Sequence, residues 1–284
     1  MKKKLLALLL GLTLCLSLAA CGGDSAADSG AADTGAAEEG GDSGETVTLT
    51  VAASPSPRAV ILEQCVPILA EQGIDLVINQ YSDYVVPNTA VEDGDEDANY
   101  FQHLPYLEEF NETRGTHLVS VAGVHIEPMG IYAGKTASLD ELADGAVIGI
   151  PNDPTNEGRA LLLLEAQGLI TLDDSSNLSA TPNNIVDNPK NLQFEEIEAQ
   201  TLPSSRPDLD LAVINSNYAL GAGLNPTTDA LAIESGDSPY VNVLVVKEGN
   251  EDNPAIQALV EALHSDTIRD FINEEFDGAV VPAF

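Results

Sequence analysis

From residue 46 to the C-terminus, runs of strand length alternate with runs of helix length, and this alternation constrains the fold most. Residues 46–52 read as a strand and 58–72 as a helix kinked at Pro67. Residues 75–80 are a short strand, 104–114 a helix and 117–124 a strand. Residues 146–150 are a strand feeding a helix over 155–167. Residues 209–214 form another strand with a short helix from Ser216, 241–246 a late strand, and 254–275 two short helices. Such alternation predicts an α/β fold with parallel sheets. In these folds ligands sit beyond the carboxyl ends of strands, where loops lead into helices.

The first residues speak to location. Lys2, Lys3 and Lys4 precede an uncharged, mostly apolar run over 5–18, and small residues lead to Cys21. Charge, length and small residues together describe a secretory signal peptide over 1–20. The run is shorter than the roughly 20 apolar residues of a membrane span. The residues ahead of Cys21 resemble a bacterial lipobox, which would make Cys21 the lipid-bearing N-terminus. Residues 22–45 contain only Gly, Ser, Ala, Thr, Asp and Glu, which cannot bury enough to offset ordering, so 21–45 reads as a lipidated, disordered acidic tether.

The chain has 46 acidic and 11 basic residues. Losing 1–20 removes three lysines and no acid, taking the net charge from −35 to −38. A protein so acidic should avoid nucleic acid and anionic membrane surfaces. Cys65 then remains alone in an apolar stretch, where it reads as a small core residue with no disulfide partner.

Against this acidity, "IPNDPTNEGRALLLLE" (150–165) places Arg159 directly before an alanine and four leucines. Asp153, Pro154 and Thr155 are helix-start signals, so Arg159 is expected in the first turn of a helix leaving a strand. Free backbone N–H groups there favour an anion, and a guanidinium can grip a carboxylate with two bonds. The alternative is that Arg159 pairs with one of the many acids. In "ANYFQHLPYLEEF" (98–110), Tyr100, Phe101, His103 and Tyr106 fall within seven residues, in a chain only 5% aromatic. The cluster either lines a small apolar pocket or packs a helix start; aromatic edges also attract a thioether sulfur. Asn215 ends an apolar strand and Asn242 lies inside one, so each needs a partner, structural or ligand. The histidines show no metal-ligand spacing, and P-loop, G-x-G-x-x-G and G-x-S-x-G motifs are absent from the sequence. No metal or cofactor is expected, and no acid–base pair is assembled in sequence.

With those residues in view, "SDYVVPN", "ANYFQHLPYLEEFN", "VHIEPMGIY", "IPNDPTNEGRALLLL", "LAVINSNYAL" and "SPYVNVLVV" resemble the NlpA/MetQ family, the methionine-binding lipoproteins of ABC importers. The likeness runs over 47–284 in order. It implies a periplasmic-binding-protein-like α/β fold: two lobes with mixed sheets and an interlobe ligand cleft. Lobe 1 would be 46–127 plus 238–284, and lobe 2 would be 128–237. Carried over by motif, Tyr84, Phe101, His103 and Tyr106 would wall the methionine side chain. Asn156 and Arg159 would hold the α-carboxylate and nearby polar atoms, and Asn215 and Asn242 the remaining polar contacts. The stretch Ala52-Ala53-Ser54-Pro55 departs from relatives that carry glycine there, which leaves that loop's contacts open.

The expectation is an extracytoplasmic binding lipoprotein without catalysis. It would be anchored to the cell membrane through lipid on Cys21 and would deliver methionine to a membrane permease driven by an ATPase. Alternatives are the same fold binding D-methionine, a methionine dipeptide or another apolar amino acid. A surface hydrolase using His103 would show turnover, and an adhesin would bind a surface partner without methionine.

Overall fold

The computed structural model describes residues 46–236 and 238–284; the expected signal peptide, Cys21 anchor and tether lie outside the described residues. The first strands and helices come in order as β1 (Val47–Ala53), α1 (Val60–Ala70), β2 (Ile74–Gln80), α2 (Val86–Asp93), β3 (Ala98–His103), α3 (Leu104–Arg114) and β4 (Leu118–Ile126). The chain then builds β5 (Gly130–Ala133), β6 (Val147–Pro151), α4 (Pro154–Ala166), β7 (Thr171–Leu172), β8 (Ile185–Asp187) and β9 (Gln193–Ile197). After α5 (Leu202–Ser205) come β10 (Leu211–Ile214), α6 (Ser216–Gly221) and β11 (Ala230–Ile233). The last segment is β12 (Val241–Lys247), α7 (Pro254–Leu263), α8 (Asp266–Phe276) and β13 (Val281–Pro282).

Among the described residues these strands form a sheet of order β13-β4-β12-β3-β1-β2, a second of order β11-β5-β10-β6-β9, and the small pair β7-β8. β1 is parallel to β2 and β3, and β6 is parallel to β9 and β10. β12 runs antiparallel between β3 and β4, and β5 antiparallel between β10 and β11. The sheets are therefore mixed, as the family resemblance implied, whereas alternation alone argued for parallel sheets. The antiparallel neighbours arise where the chain passes from one sheet to the other. It leaves β4 for β5 through 127–129 and returns from β11 to β12 through 234–240. The connections are bonded to each other: the Glu234 N–H donates to the Met129 carbonyl at 2.8 Å.

Each sheet has its own core. Leu49, Val51, Ile61, Leu62, Tyr100, Leu244 and Leu259 pack around the first sheet, and Cys65 is fully buried among them. Burial pushes the Cys65 thiol up to about 12, as suits an inert core residue. Ile131, Ile148, Ile150, Leu161, Leu164 and Val213 pack around the second sheet. α1 continues through Pro67 to Ala70. No helix among the described residues is long and apolar enough to cross a membrane.

Candidate functional site

Four strand ends converge on one narrow cavity lined by aromatic, amide and charged side chains. β1 leads to Arg58, β3 ends at His103, β6 leads into α4 with Asn156 and Arg159, and β10 leads to Asn215. Every residue assigned to the site from sequence lines this cavity. The register explains part of the convergence: β12 sets Asn242 opposite both His103 and His125.

The aromatic cluster straddles a strand and a helix. Tyr100, Phe101 and His103 lie on β3, a strand not expected from the sequence, and α3 starts at Leu104 as expected. His103 then caps α3, and Pro105 sits in the first helical turn, where its missing N–H costs nothing. Alternation along β3 sends the Tyr100 ring into the sheet's core and the Phe101 ring towards Tyr84 and Tyr106, at centroid distances of 6.0 and 6.1 Å. Tyr84 approaches from the loop after β2, and its hydroxyl donates to Asn217 Oδ1 at 2.6 Å. The Tyr106 hydroxyl fixes that loop by donating to the Tyr84 carbonyl at 2.8 Å.

His103 is buried, and burial together with the nearby Arg159 guanidinium pushes its pKa down to about 3. It is therefore neutral, and its bonds fix the tautomer. The Tyr106 N–H donates to Nδ1 at 3.2 Å, so Nε2 carries the proton and donates to Asn156 Oδ1 at 3.1 Å. Neither ring nitrogen is paired with a carboxylate, so His103 does not form a Ser-His-Asp type arrangement among the described residues. Asn156 Oδ1 also accepts from Asn215 Nδ2 at 2.7 Å, while Asp153 caps α4 by accepting the Asn156 N–H at 3.1 Å.

Arg159 differs from expectation in its turn of the helix, and it forms the ion pair that the sequence left open as the alternative. It lies in the second turn of α4, because the helix starts at Pro154 and Asn156 occupies the first turn. Its guanidinium is also not free: Nε donates to both Glu234 carboxylate oxygens at 3.2 and 3.1 Å, and Nη2 donates to Glu234 and to the Glu127 carbonyl. The Tyr240 ring stacks beneath it, 4.3 Å from Cζ. The ion pair and the cavity position thus coexist, and Nη1 stays outside these bonds. Arg159 ties α4 to both intersheet connections, since Glu127 lies on one and Glu234 and Tyr240 on the other.

Two buried charges escaped the sequence reading. Arg58 donates through Nη1 to Ser54 Oγ at 2.9 Å and through Nη2 to Asn242 Oδ1 at 2.6 Å, and Nη2 also meets Glu127 Oε1 at 2.9 Å. Glu127 Oε1 in turn accepts from His125 Nε2 at 2.7 Å, and the Tyr100 hydroxyl bonds His125 Nδ1. Burial drives the Glu127 carboxyl upward, but Arg58, His125 and Arg159 outweigh it and hold the group below its ordinary value. Burial keeps His125 neutral despite that carboxylate. The signal for Arg58 was available: it precedes Ala59-Val60-Ile61-Leu62 just as Arg159 precedes its leucines. Glu127 had no such signal, because its burial is decided by where two connections cross.

Residues 49–284 match the NlpA lipoprotein family. The chain is 41% identical over 270 residues to the methionine-binding lipoprotein MetQ of Bacillus subtilis, covering 93% of each chain. It is 46% identical over 211 residues to the D-methionine-binding lipoprotein MetQ of Salmonella typhi, covering 74% of this chain and 78% of the relative. A Burkholderia cenocepacia nutrient binding protein solved bound to methionine superposes with a TM-score of 0.80 at 41% identity, covering 83% of this chain and all of that one. Family match, identity and fold agree along the described chain, and the protein belongs to the NlpA lipoprotein family.

Proposed function

We propose that this protein is the substrate-binding lipoprotein of an ABC importer and takes methionine into the cavity between its two sheets. One observation carries the reading: an aromatic wall and two guanidinium groups line a single cavity. Phe101, Tyr84 and Tyr106 offer ring faces and edges to an apolar, sulfur-containing tail. Arg159, with Asn156 beside it, keeps Nη1 outside its pair with Glu234 as a donor for the ligand's carboxylate, and charge-assisted bonds of this kind strengthen where water is excluded. The Glu127 carboxylate and the buried Asn215 Oδ1, which has no partner among the described residues, are acceptors suited to the ligand's ammonium group. Asn242 acts on the ligand through Arg58, whose guanidinium it holds.

In this reading the lobes are 46–127 plus 238–284 and 128–237, and they close on the ligand through the two connections. The closed form docks on a membrane permease, with an ATPase on the inner side driving transport, and lipid on Cys21 keeps the protein at the outer face of the membrane. The names of the relatives, both lipoproteins and both methionine-binding, support this.

Calorimetry on ligand-stripped protein tests the proposal. L-methionine should bind with submicromolar affinity, at least about 8 kcal/mol. Tighter binding of D-methionine or of a methionine dipeptide would reassign the ligand within the class. Binding of no amino acid or peptide would reject the class.

A further inference from the structure

We propose that Arg58 is a specificity-determining residue whose Nε–H binds the ligand's α-carboxylate, so that the site demands a free acid. The inference rests on the amino-acid-binding reading above and names a contact that the sequence motifs do not.

Arg58 lines the cavity and is 4% exposed. Its two terminal nitrogens are engaged by Ser54, Asn242 and Glu127. Its Nε–H is buried and has no acceptor among the described residues. Unmet buried donors are rare in native proteins and costly when charged. The same cavity wall holds the opposite defect, the Asn215 Oδ1 acceptor without a donor. An α-amino acid head group supplies both missing partners, a carboxylate oxygen for Arg58 and an ammonium N–H for Asn215.

If Arg58 served only as counter-ion to Glu127, Nη2 alone would suffice. Ser54 and Asn242 instead fix the whole guanidinium plane, which orients the third donor edge. Arg159 cannot hold the carboxylate alone with its full fork, because Nε and Nη2 are committed to Glu234 and the Glu127 carbonyl. Formal charge agrees. Arg58 offsets Glu127 within the lining, and Glu234, just outside it, offsets Arg159, so the two ion pairs together are neutral. A zwitterion preserves that balance. An amide or ester of the same amino acid brings an uncompensated cation beside two guanidinium groups and leaves the Arg58 donor without an anion.

The test is the preference for methionine over methioninamide, measured by calorimetry in the unmutated protein, R58K and R58Q. R58K keeps a cation beside Glu127 but lacks the fork, so one ammonium cannot serve Glu127, Asn242 and the ligand together. Both variants should weaken methionine about 10- to 100-fold, the range for a charged hydrogen bond, and lower the preference at least about tenfold. Equal weakening of both ligands, or an unchanged preference, overturns the inference while leaving methionine binding intact. Absence of methionine binding in the unmutated protein defeats the parent reading and this one with it. Should neither variant fold, the arginine Nε–H NMR signals of the unmutated protein decide. The signal of Arg58 should shift with methionine and not with methioninamide, and a signal indifferent to methionine overturns the proposal.

Discussion

His103 Nε2 donates to Asn156 Oδ1 across 3.1 Å, joining the end of a strand in the first sheet to the first turn of a helix leaving the second. The bond fixes the neutral tautomer of a buried histidine and positions an amide that also receives Asn215. H103N should weaken methionine roughly tenfold, since a net hydrogen bond contributes about 0.5–1.5 kcal/mol and the ring wall is lost as well. Calorimetry at pH 7 checks this.

The same histidine sets an acid limit on stability. Its folded pKa is pushed down to about 3, below the ordinary 6.5, so between these values the unfolded chain binds a proton that the folded chain does not. Stability from this group is complete above pH 6.5 and falls as pH drops towards 3. His125 is shifted the same way by burial and adds to the trend. Thermal unfolding should show a steeper loss between pH 7 and 5 in the unmutated protein than in H103N, by about 2 kcal/mol for one such group. Parallel curves would contradict the assignment.

Glu157 works in the opposite direction. Burial, with Glu196 and Asp153 close by, pushes its carboxyl up to about 7. Its folded form therefore holds a proton that the unfolded chain releases, and stability from it is full below about pH 4.5 and lost as pH rises through 7. E157Q should raise the melting temperature at pH 8 by about 2–4 °C, the shift that 1 kcal/mol gives a chain of this size, and change it little at pH 4.

Arg159 couples ligand affinity to the intersheet connections. R159A removes a cavity guanidinium and leaves Glu234 without its strongest partner. Methionine affinity should fall by at least about 1.5–3 kcal/mol while the far-ultraviolet circular dichroism stays unchanged. Normal binding by R159A would show that the carboxylate is held elsewhere.

Gly158 separates packing from propensity. Glycine-to-alanine changes in a helix ordinarily stabilise by roughly 0.5–1 kcal/mol. A Cβ at Gly158 would stand 2.4 Å from the Leu178 carbonyl oxygen and 2.8 Å from the Ala180 nitrogen, both backbone atoms with little room to yield. G158A should therefore destabilise by about 1–3 kcal/mol or more in denaturant titration. At Gly221, in α6, nothing lies within 4 Å, and G221A should be neutral or stabilising.

Legibility followed the range of the forces involved. The strand–proline–helix turn at 150–165 was readable because capping, proline and apolar run are local; its helix begins at Pro154, one residue from the expected start. The aromatic cluster was readable as a cluster, but its division between β3 and α3 was not, because the strand is held by pairing with β1 and β12. α2 and β5 carry no clear local signal: α2 is only eight residues long and half polar, and β5 is only four residues long.

By itself the sequence determined the α/β class, the helix starts and the chemical inventory of the site: rings, asparagines and an arginine at strand ends. Tertiary structure alone decided which charges became partners. Arg58 meets Glu127, and Arg159 meets Glu234, across separations of 69 and 75 residues. In a chain rich in acids, no local rule selects one carboxylate from the others. The choice is made where two connections cross between sheets, because only there does burial remove water and force each guanidinium onto a fixed partner.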